Sequence, residues 1–398
     1  MKIGVYGGTF NPPHLGHTAA ARSALEALEL DKLLFVPAAL PPHKELPGGS
    51  PAAEQRLEMT EIAADGLLQP QRTEVCALEL SRPGKSYTAD TLCALRERYP
   101  DDELWLLMGS DMFRSLHTWW KPEVILETAG ICAFARSRTE RADALEAQAA
   151  SLRERYGARI QLMQIPELVE ISSTELRERL AQGEGERFLP PAVYGYILMH
   201  SLYHVERDLT HLSDEELRCC SYSMIKAKRI AHVKGTEEEA VRLAARWDVD
   251  TEQARRAAIL HDCTKYLDME DQLKLCRKYG ILLDDLEQEA VKLLHAKTGA
   301  AVARDMFGVP DEIYEAIFWH TTGKADMTPL EKVLYIADYM EPTRDFPGVE
   351  RLRRLAYEDL DAAVLLGCEM SIQEMAERCL PVHPNTVKAR DWLLRTKG

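Results

Sequence analysis

No run of about 18 consecutive apolar residues occurs in the chain, so a bilayer-spanning helix is not expected. The apolar stretch Ile3–Tyr6 is too short for a secretory signal and runs at once into glycine. None of the nine cysteines forms a C-x-x-C pair, which leaves small buried or surface thiols of a reducing, cytoplasmic protein. A basic surplus is also missing. The 64 acidic residues outnumber 49 Lys and Arg, and the net charge of −15 disfavours non-specific nucleic-acid binding. Phosphate-bearing substrates stay open, because local amides, cations or metals can hold them. No internal repeat or low-complexity tract is evident.

What remains is 398 residues of ordinary globular composition, 46% apolar and 28% charged, long enough for two domains. Over 1–202, the apolar β-type runs KIGVYG, LLFVPA, TEVCALEL, ELWLLMGS, ICAFA and RIQLMQI alternate with helical stretches at 18–28, 54–65, 89–98 and 142–155. Strands buried on both faces and joined by helices predict a mostly parallel, doubly wound α/β sheet. Sites in such sheets cluster at the carboxyl ends of the strands. Beyond a polar connector at 203–213 the strand texture disappears. Segments opening on SDEE, TEEE, TEQA and TPLE read as capped helix starts, and 214–398 is expected to be all-α.

The stretch GGTFNPPHLGH carries the first chemistry. Gly7 and Gly8 follow the first strand, where a backbone must pass close to a ligand. His14 and His17 lie three apart at a helix start and share one face. The amides and dipole of that start seat a phosphate, and two imidazoles there can stabilise charge developing on an α-phosphate. Far downstream, ISSTELRER sets Ser172, Ser173 and Thr174 at another helix start, with Arg177 one turn in. Hydroxyls, amides and a guanidinium on one face suit a triphosphate tail.

Joined by PPHK, SYTADTL, GSDMF and TWW, these motifs resemble the bacterial nicotinate mononucleotide adenylyltransferase branch of the HxGH nucleotidyltransferase superfamily, with its Rossmann-like sheet. The resemblance implies that Gly7, Gly8, Thr9, Phe10, His14, His17, Ser172, Ser173, Thr174 and Arg177 hold ATP with Mg²⁺, His14 and His17 being catalytic. It also implies Lys44 at the mononucleotide phosphate, Asp111 at its ribose, and Thr88 and Trp119 at the nicotinate ring. Packing in the core is the other reading of Trp119. The chain departs from the family at GEGERFLPP, which leaves Arg187 without an assigned role. Nicotinamide mononucleotide or pantetheine phosphate are alternative acceptors, the latter disfavoured by SYTADTL and TWW.

In the helical half, His232, the doublet His261-Asp262, His295, His320 and Asp338 fall on separate helices or helix ends. An acid inside the apolar run VLYIADYM is costly unless paired or coordinated. The set is most economically read as one metal cluster. HDCTKY, HTTGKADMTPLEK and ADYMEPTRDFPGV resemble an HD-domain phosphohydrolase of the bacterial symmetrical diadenosine tetraphosphate hydrolase family. That resemblance implies one metal on His232, His261, Asp262 and Asp338, with Asp262 bridging to a second on His295 and His320. Mixed imidazole and carboxylate donors suit iron or manganese. A water of lowered pKa is then the nucleophile, with Asp262 and Lys265 as catalytic candidates. Lys265 and Arg344 either neutralise the polyphosphate or are solvated surface cations. After His232 the chain reads VKG where the family has a small hydroxyl residue, with little effect expected on ligation.

The expectation is a bifunctional enzyme using ATP, nicotinate mononucleotide and diadenosine tetraphosphate, without nucleic-acid or membrane partners. A regulatory nucleotide-binding module is the alternative for the helical half, and assembly into a homo-oligomer stays open.

Overall fold

The computed structural model describes residues 1–41, 45–82, 84–135, 142–167 and 169–396. Lys44, expected at the mononucleotide phosphate, lies outside the described residues. The chain divides into two compact units, Met1–Glu206 and Arg207–Gly398.

The first unit is built on β1 (Lys2–Gly8), β2 (Lys32–Pro37), β3 (Thr73–Val75), β4 (Glu103–Gly109), β5 (Gly130–Phe134) and β6 (Ile160–Met163). These form one all-parallel sheet in the order β3-β2-β1-β4-β5-β6. Its helices are α1 (Leu15–Ala27), α2 (Ala53–Asp65), α3 (Thr88–Arg98), α4 (Ser110–Ser115), α5 (Pro122–Thr128), α6 (Ala142–Tyr156), α7 (Ser173–Ala181) and α8 (Pro191–Met199). Two apolar layers seal the sheet. One gathers Ile3, Val5, Leu34, Leu104 and Leu106, the other Leu25, Leu33, Phe35, Leu107 and Phe134. Strand order reverses between β1 and β4, and a crevice opens beyond their carboxyl ends at such a switch point.

Three local expectations are corrected. Gly7 and Gly8 close β1 itself, paired with Val36 and Pro37, rather than following it. Helix α1 starts at Leu15, so His17 is already in its first turn. TEVCALEL is a strand only over Thr73–Val75 and then tightens into a 3₁₀ turn at Ala77–Glu79. That turn buries the Glu79 carboxylate, which accepts a hydrogen bond from Thr91 Oγ1 at 2.6 Å.

The second unit is helical, with no strand among its described residues. Its helices are α9 (Asp214–Ser223), α10 (Ala227–Arg246), α11 (Thr251–Leu260), α12 (Met269–Tyr279), α13 (Val291–Phe307), α14 (Asp311–Trp319), α15 (Pro329–Met340), α16 (Val349–Glu358), α17 (Leu360–Glu377) and α18 (Pro384–Thr396). Ser213 and Thr328 form the expected capping boxes with Glu216 and Glu331. TEEE starts no helix. Thr236 sits buried in the middle of α10, its hydroxyl 3.4 Å from His232 Nε2. At TEQA the cap is Asp250, one residue earlier, accepting from Glu252 and Gln253 N–H. Among the described residues no helix is long and apolar enough to cross a membrane. All nine cysteines are free thiols, buried except Cys93 and Cys379.

Candidate functional site

The switch-point crevice is a cavity of about 400 Å³. Gly7, Gly8, Thr9, Phe10, His14 and His17 line one side, and Ser172, Ser173, Thr174 and Arg177 line another. Thr88, Asp111 and Trp119 also line it, so the two separated motifs and the expected acceptor residues share one space. Arg187 is not among its described lining residues; its guanidinium lies over the Phe188 ring at 4.8 Å. Of the tandem indoles, Trp119 faces the cavity and donates Nε1–H to Ser115 Oγ at 3.3 Å, whereas Trp120 is exposed.

Local structure fixes both imidazoles. The His14 N–H donates to His17 Nδ1 at 3.1 Å, so a neutral His17 carries its proton on Nε2. The rings lie 3.7 Å apart between centroids. Phe10, at φ +45° and almost wholly buried, sets its ring 5.2 Å from that of His17, edge to face. Gly16 permits a close approach: a Cβ there would meet the His14 ring at 3.0 Å and the Val169 carbonyl at 3.2 Å, so both would have to give way. On the opposite jaw, Ser172 Oγ caps α7 by accepting from Glu175 N–H, and Arg177 donates to the Asn11 carbonyl at 2.7 Å. The second jaw is thereby tied to the loop of the first.

Sequence reasoning missed three residues beneath this site. Arg56 is fully buried and donates to the carbonyls of Thr9, Ala38 and Ala39 at 2.8, 2.6 and 3.0 Å. Burial pushes its guanidinium pKa down. Tyr203, the first residue of the expected connector, is buried and donates to Asn11 Oδ1 at 2.8 Å. Glu79 also lines the cavity, and burial raises its carboxyl pKa against the Thr91 and Ser86 hydroxyls. The only signal was Glu79 inside the strand-like run TEVCALEL; Arg56, in an amphipathic helical run, and Tyr203, in a polar connector, gave none.

In the second unit, all six expected ligands converge: His232, His261, Asp262, His295, His320 and Asp338. Three of the imidazoles donate Nδ1–H to the carbonyl three residues back, Ala258, Lys292 and Ile317, each at 2.7 Å. His232 donates Nδ1–H to the buried Glu341 carboxylate at 2.9 Å. In the neutral form, every Nε2 therefore turns a lone pair inward. Two Nε2 pairs, His232/His261 and His295/His320, stand 3.2 Å apart. Facing lone pairs at that distance repel unless a cation lies between them, so the donor set fits a divalent metal ion.

Asp262 spans the two halves. Its Oδ2 lies 3.4 Å from His261 Nε2 and 3.7 Å from His232 Nε2, while Oδ1 lies 3.1 Å from His295 Nε2 and 3.9 Å from His320 Nε2. Asp338 Oδ1 is 3.0 Å from His232 Nε2. Burial opposes ionisation of Asp262 and Asp338, but the surrounding imidazoles and cations hold both carboxyls well below the usual range. Burial, with His295 and His261 nearby, pushes His320 well down and keeps it a neutral donor. Lys265 Nζ reaches Asp262 Oδ1 at 3.4 Å and Arg344 Nη2 reaches Asp338 Oδ1 at 2.8 Å. Arg229, unnoticed in the sequence, donates Nε–H to Asp262 Oδ2 at 2.6 Å.

A further His and acid group, Asp284, Glu287 and His383, behaves differently. His383 Nδ1 accepts from Asn385 N–H, which leaves the proton on Nε2, directed at the two carboxylates. With its proton there, that nitrogen has no lone pair to offer a metal ion.

Known proteins match each unit separately. The cytidylyltransferase-like family model covers residues 5–179 and the HD domain model residues 229–343. A probable nicotinate-nucleotide adenylyltransferase from Lachnoclostridium phytofermentans is 37% identical over 203 residues, 51% of this chain and 98% of the relative. One from Thermus thermophilus is 44% identical over 204 residues, 51% of this chain and all of the relative. A solved structure, a predicted HD superfamily hydrolase involved in NAD metabolism from Clostridium acetobutylicum, is 36% identical, with a TM-score of 0.45, over 46% of this chain and 98% of that one. Matching those adenylyltransferases along essentially their whole length, the chain belongs through its first half to the nicotinate-nucleotide adenylyltransferase family and carries an HD domain in its second.

Proposed function

We propose that residues 1–202 transfer AMP from ATP to nicotinate mononucleotide, and that residues 214–398 hydrolyse diadenosine tetraphosphate symmetrically to ADP. The first reading is supported above all by one cavity that joins both phosphate-binding motifs to Thr88, Asp111 and Trp119. A mononucleotide phosphate oxygen bonds to the ATP α-phosphorus as the bond to the pyrophosphate oxygen breaks. His14 and His17 meet the charge developing at that phosphorus, His17 through its Nε2–H. The Gly7–Phe10 backbone, Ser172, Ser173, Thr174 and Arg177 hold the triphosphate, and Mg²⁺ travelling with it supplies further countercharge. Lys44 meets the acceptor phosphate, Asp111 its ribose, and Thr88 with Trp119 the nicotinate ring.

The second reading is supported by the inward lone pairs of the HD site. His232, His261, Asp262 and Asp338 would hold one ion, and Asp262, His295 and His320 another, iron or manganese by donor type. Such ions, when bound, supply Lewis acidity and lower the pKa of water. Lys265 and Arg344 offset the polyphosphate charge beside them. Both reactions suit a cytoplasmic enzyme.

The deciding experiment follows products by HPLC, using metal-characterised full-length protein with each substrate pair. The wild type should form deamido-NAD and pyrophosphate, and release two ADP from diadenosine tetraphosphate. His17→Ala should lose the first reaction and keep the second. Failure of the wild type to form any dinucleotide would refute the adenylyltransferase assignment.

A further inference from the structure

Two short segments converge on the central carboxylate of the HD site. At the start of α10, Arg229 donates to Asp262 Oδ2, and in the turn after α11, Lys265 reaches Asp262 Oδ1. The adjacent residue on each segment is different in kind. Lys228 and Tyr266 form their own pair, the Lys228 ammonium 5.8 Å from the Tyr266 ring centroid. Tyr266 is one of the few large hydrophobic side chains this exposed, at 39%. Two settings thus adjoin along the chain: cations on the buried ligand carboxylate, and at the neighbouring positions an exposed ring with an exposed cation beside it.

This adjacency matches a nucleotide, whose phosphates and base differ in the same way. Cations and metal ligands recognise only phosphate; an exposed ring offers a π face that any purine can cover. The adjacent ammonium adds attraction to an electron-rich ring and countercharge to a phosphate.

From this juxtaposition we infer that Tyr266, flanked by Lys228, is the base-stacking platform of the HD site. It would make that site selective for nucleoside polyphosphates over inorganic polyphosphates. The inference rests on the hydrolase reading for turnover, but not for binding.

The test uses the full-length, manganese-loaded chain as wild type, Tyr266→Leu and Tyr266→Phe, with folding checked by circular dichroism. ADP and inorganic tripolyphosphate are titrated calorimetrically into each; binding in the first unit is common to all three and cancels in the comparison. Hydrolysis of diadenosine tetraphosphate and of tripolyphosphate is followed in parallel. Tyr266→Leu should weaken ADP binding and raise the dinucleotide KM about 5- to 150-fold, the range for loss of one base–aromatic stack. Tripolyphosphate binding should stay unchanged, and Tyr266→Phe should restore nucleotide affinity to within about 2-fold, because the π face is kept. Equal weakening of both ligands, or of neither, would overturn the platform. Wild type that binds ADP with this Tyr266 dependence but hydrolyses nothing would refute the hydrolase reading and leave the platform standing.

Discussion

Glu341 offers the sharpest test of how the HD site is held. Its carboxylate is wholly buried and accepts from His232 Nδ1–H, from Thr343 N–H at 2.6 Å, and from the Thr343 hydroxyl. A carboxylate accepts at both oxygens, but an amide accepts at one. In Glu341→Gln, the NH₂ group must therefore face either the imidazole N–H or the Thr343 amide, donor against donor. Either orientation loosens His232, directly or through the loop. Removing such a partner from a metal-ligating histidine typically weakens metal binding 10- to 100-fold, or about 1.4–2.7 kcal/mol. His295 and His320 take their Nδ1 bonds from their own helices, so their position should keep its affinity. Chelator competition with manganese, read by elemental analysis, should show one weakened class of ion and one unchanged. Gly235→Ala gives an independent route, since its Cβ would fall 2.6 Å from Glu341 Oε2. Equal loss of all metal, or no loss in either variant, would refute the reasoning.

Two further outcomes are expected. Arg56→Met removes three donors from buried carbonyls while also relieving a desolvated charge; the net loss should be about 2–5 kcal/mol in the urea transition of the first unit, with a raised KM for ATP because Thr9 loses its anchor. At Glu287, burial is outweighed by His383, Lys297 and a backbone amide, which hold the carboxyl at about 2 against an ordinary 4.5. A depressed carboxyl stabilises fully above its unfolded pKa. Its contribution should fade as pH drops from about 4.5 towards 2, and Glu287→Gln should flatten that part of a thermal-melt pH series.

Much of this architecture is legible in the sequence because the signals are periodic or local. Apolar runs separated by helices specify the parallel sheet, and a histidine on an apolar helix must bring its partners with it. The HD ligands were readable as a set because Asp338 lies within VLYIADYM, where an unpaired acid would be unstable. What escaped depends on contacts between distant residues. Arg56 looks like a surface cation of an amphipathic helix until β1 and β2 bring Thr9 and Ala38 over it. Glu341 is 109 positions from its histidine. TEEE mimics a helix start, yet Thr236 belongs mid-helix because its hydroxyl faces the ligand cluster. TEVCALEL reads as apolar throughout, but only Thr73–Val75 forms strand; Ala77, Leu78 and Glu79 are helix formers and tighten into a turn that buries Glu79.

On the proposed functions, the two sites would meet phosphate with opposite polarity. In the first, the lining is rich in donors: strand-end glycine amides, the starts of α1 and α7, the His17 Nε2–H and Arg177. Such a site would need no resident ion, because a bound triphosphate brings negative charge and its own Mg²⁺. In the second, each imidazole spends its N–H on the scaffold and points a lone pair inward, beside two carboxylates held ionised. That centre concentrates electron pairs in its middle, with Arg229, Lys265 and Arg344 set against its two carboxylates. On the proposed reading a bound divalent cation makes that centre net positive, so the same anionic group would be grasped by donors in one unit and by metal in the other. On that reading the first geometry would leave phosphorus to be attacked by a second substrate, and the second would supply the conditions for water to attack it. GGTFNPPHLGH and the scattered histidines would then face the same element with complementary chemistry.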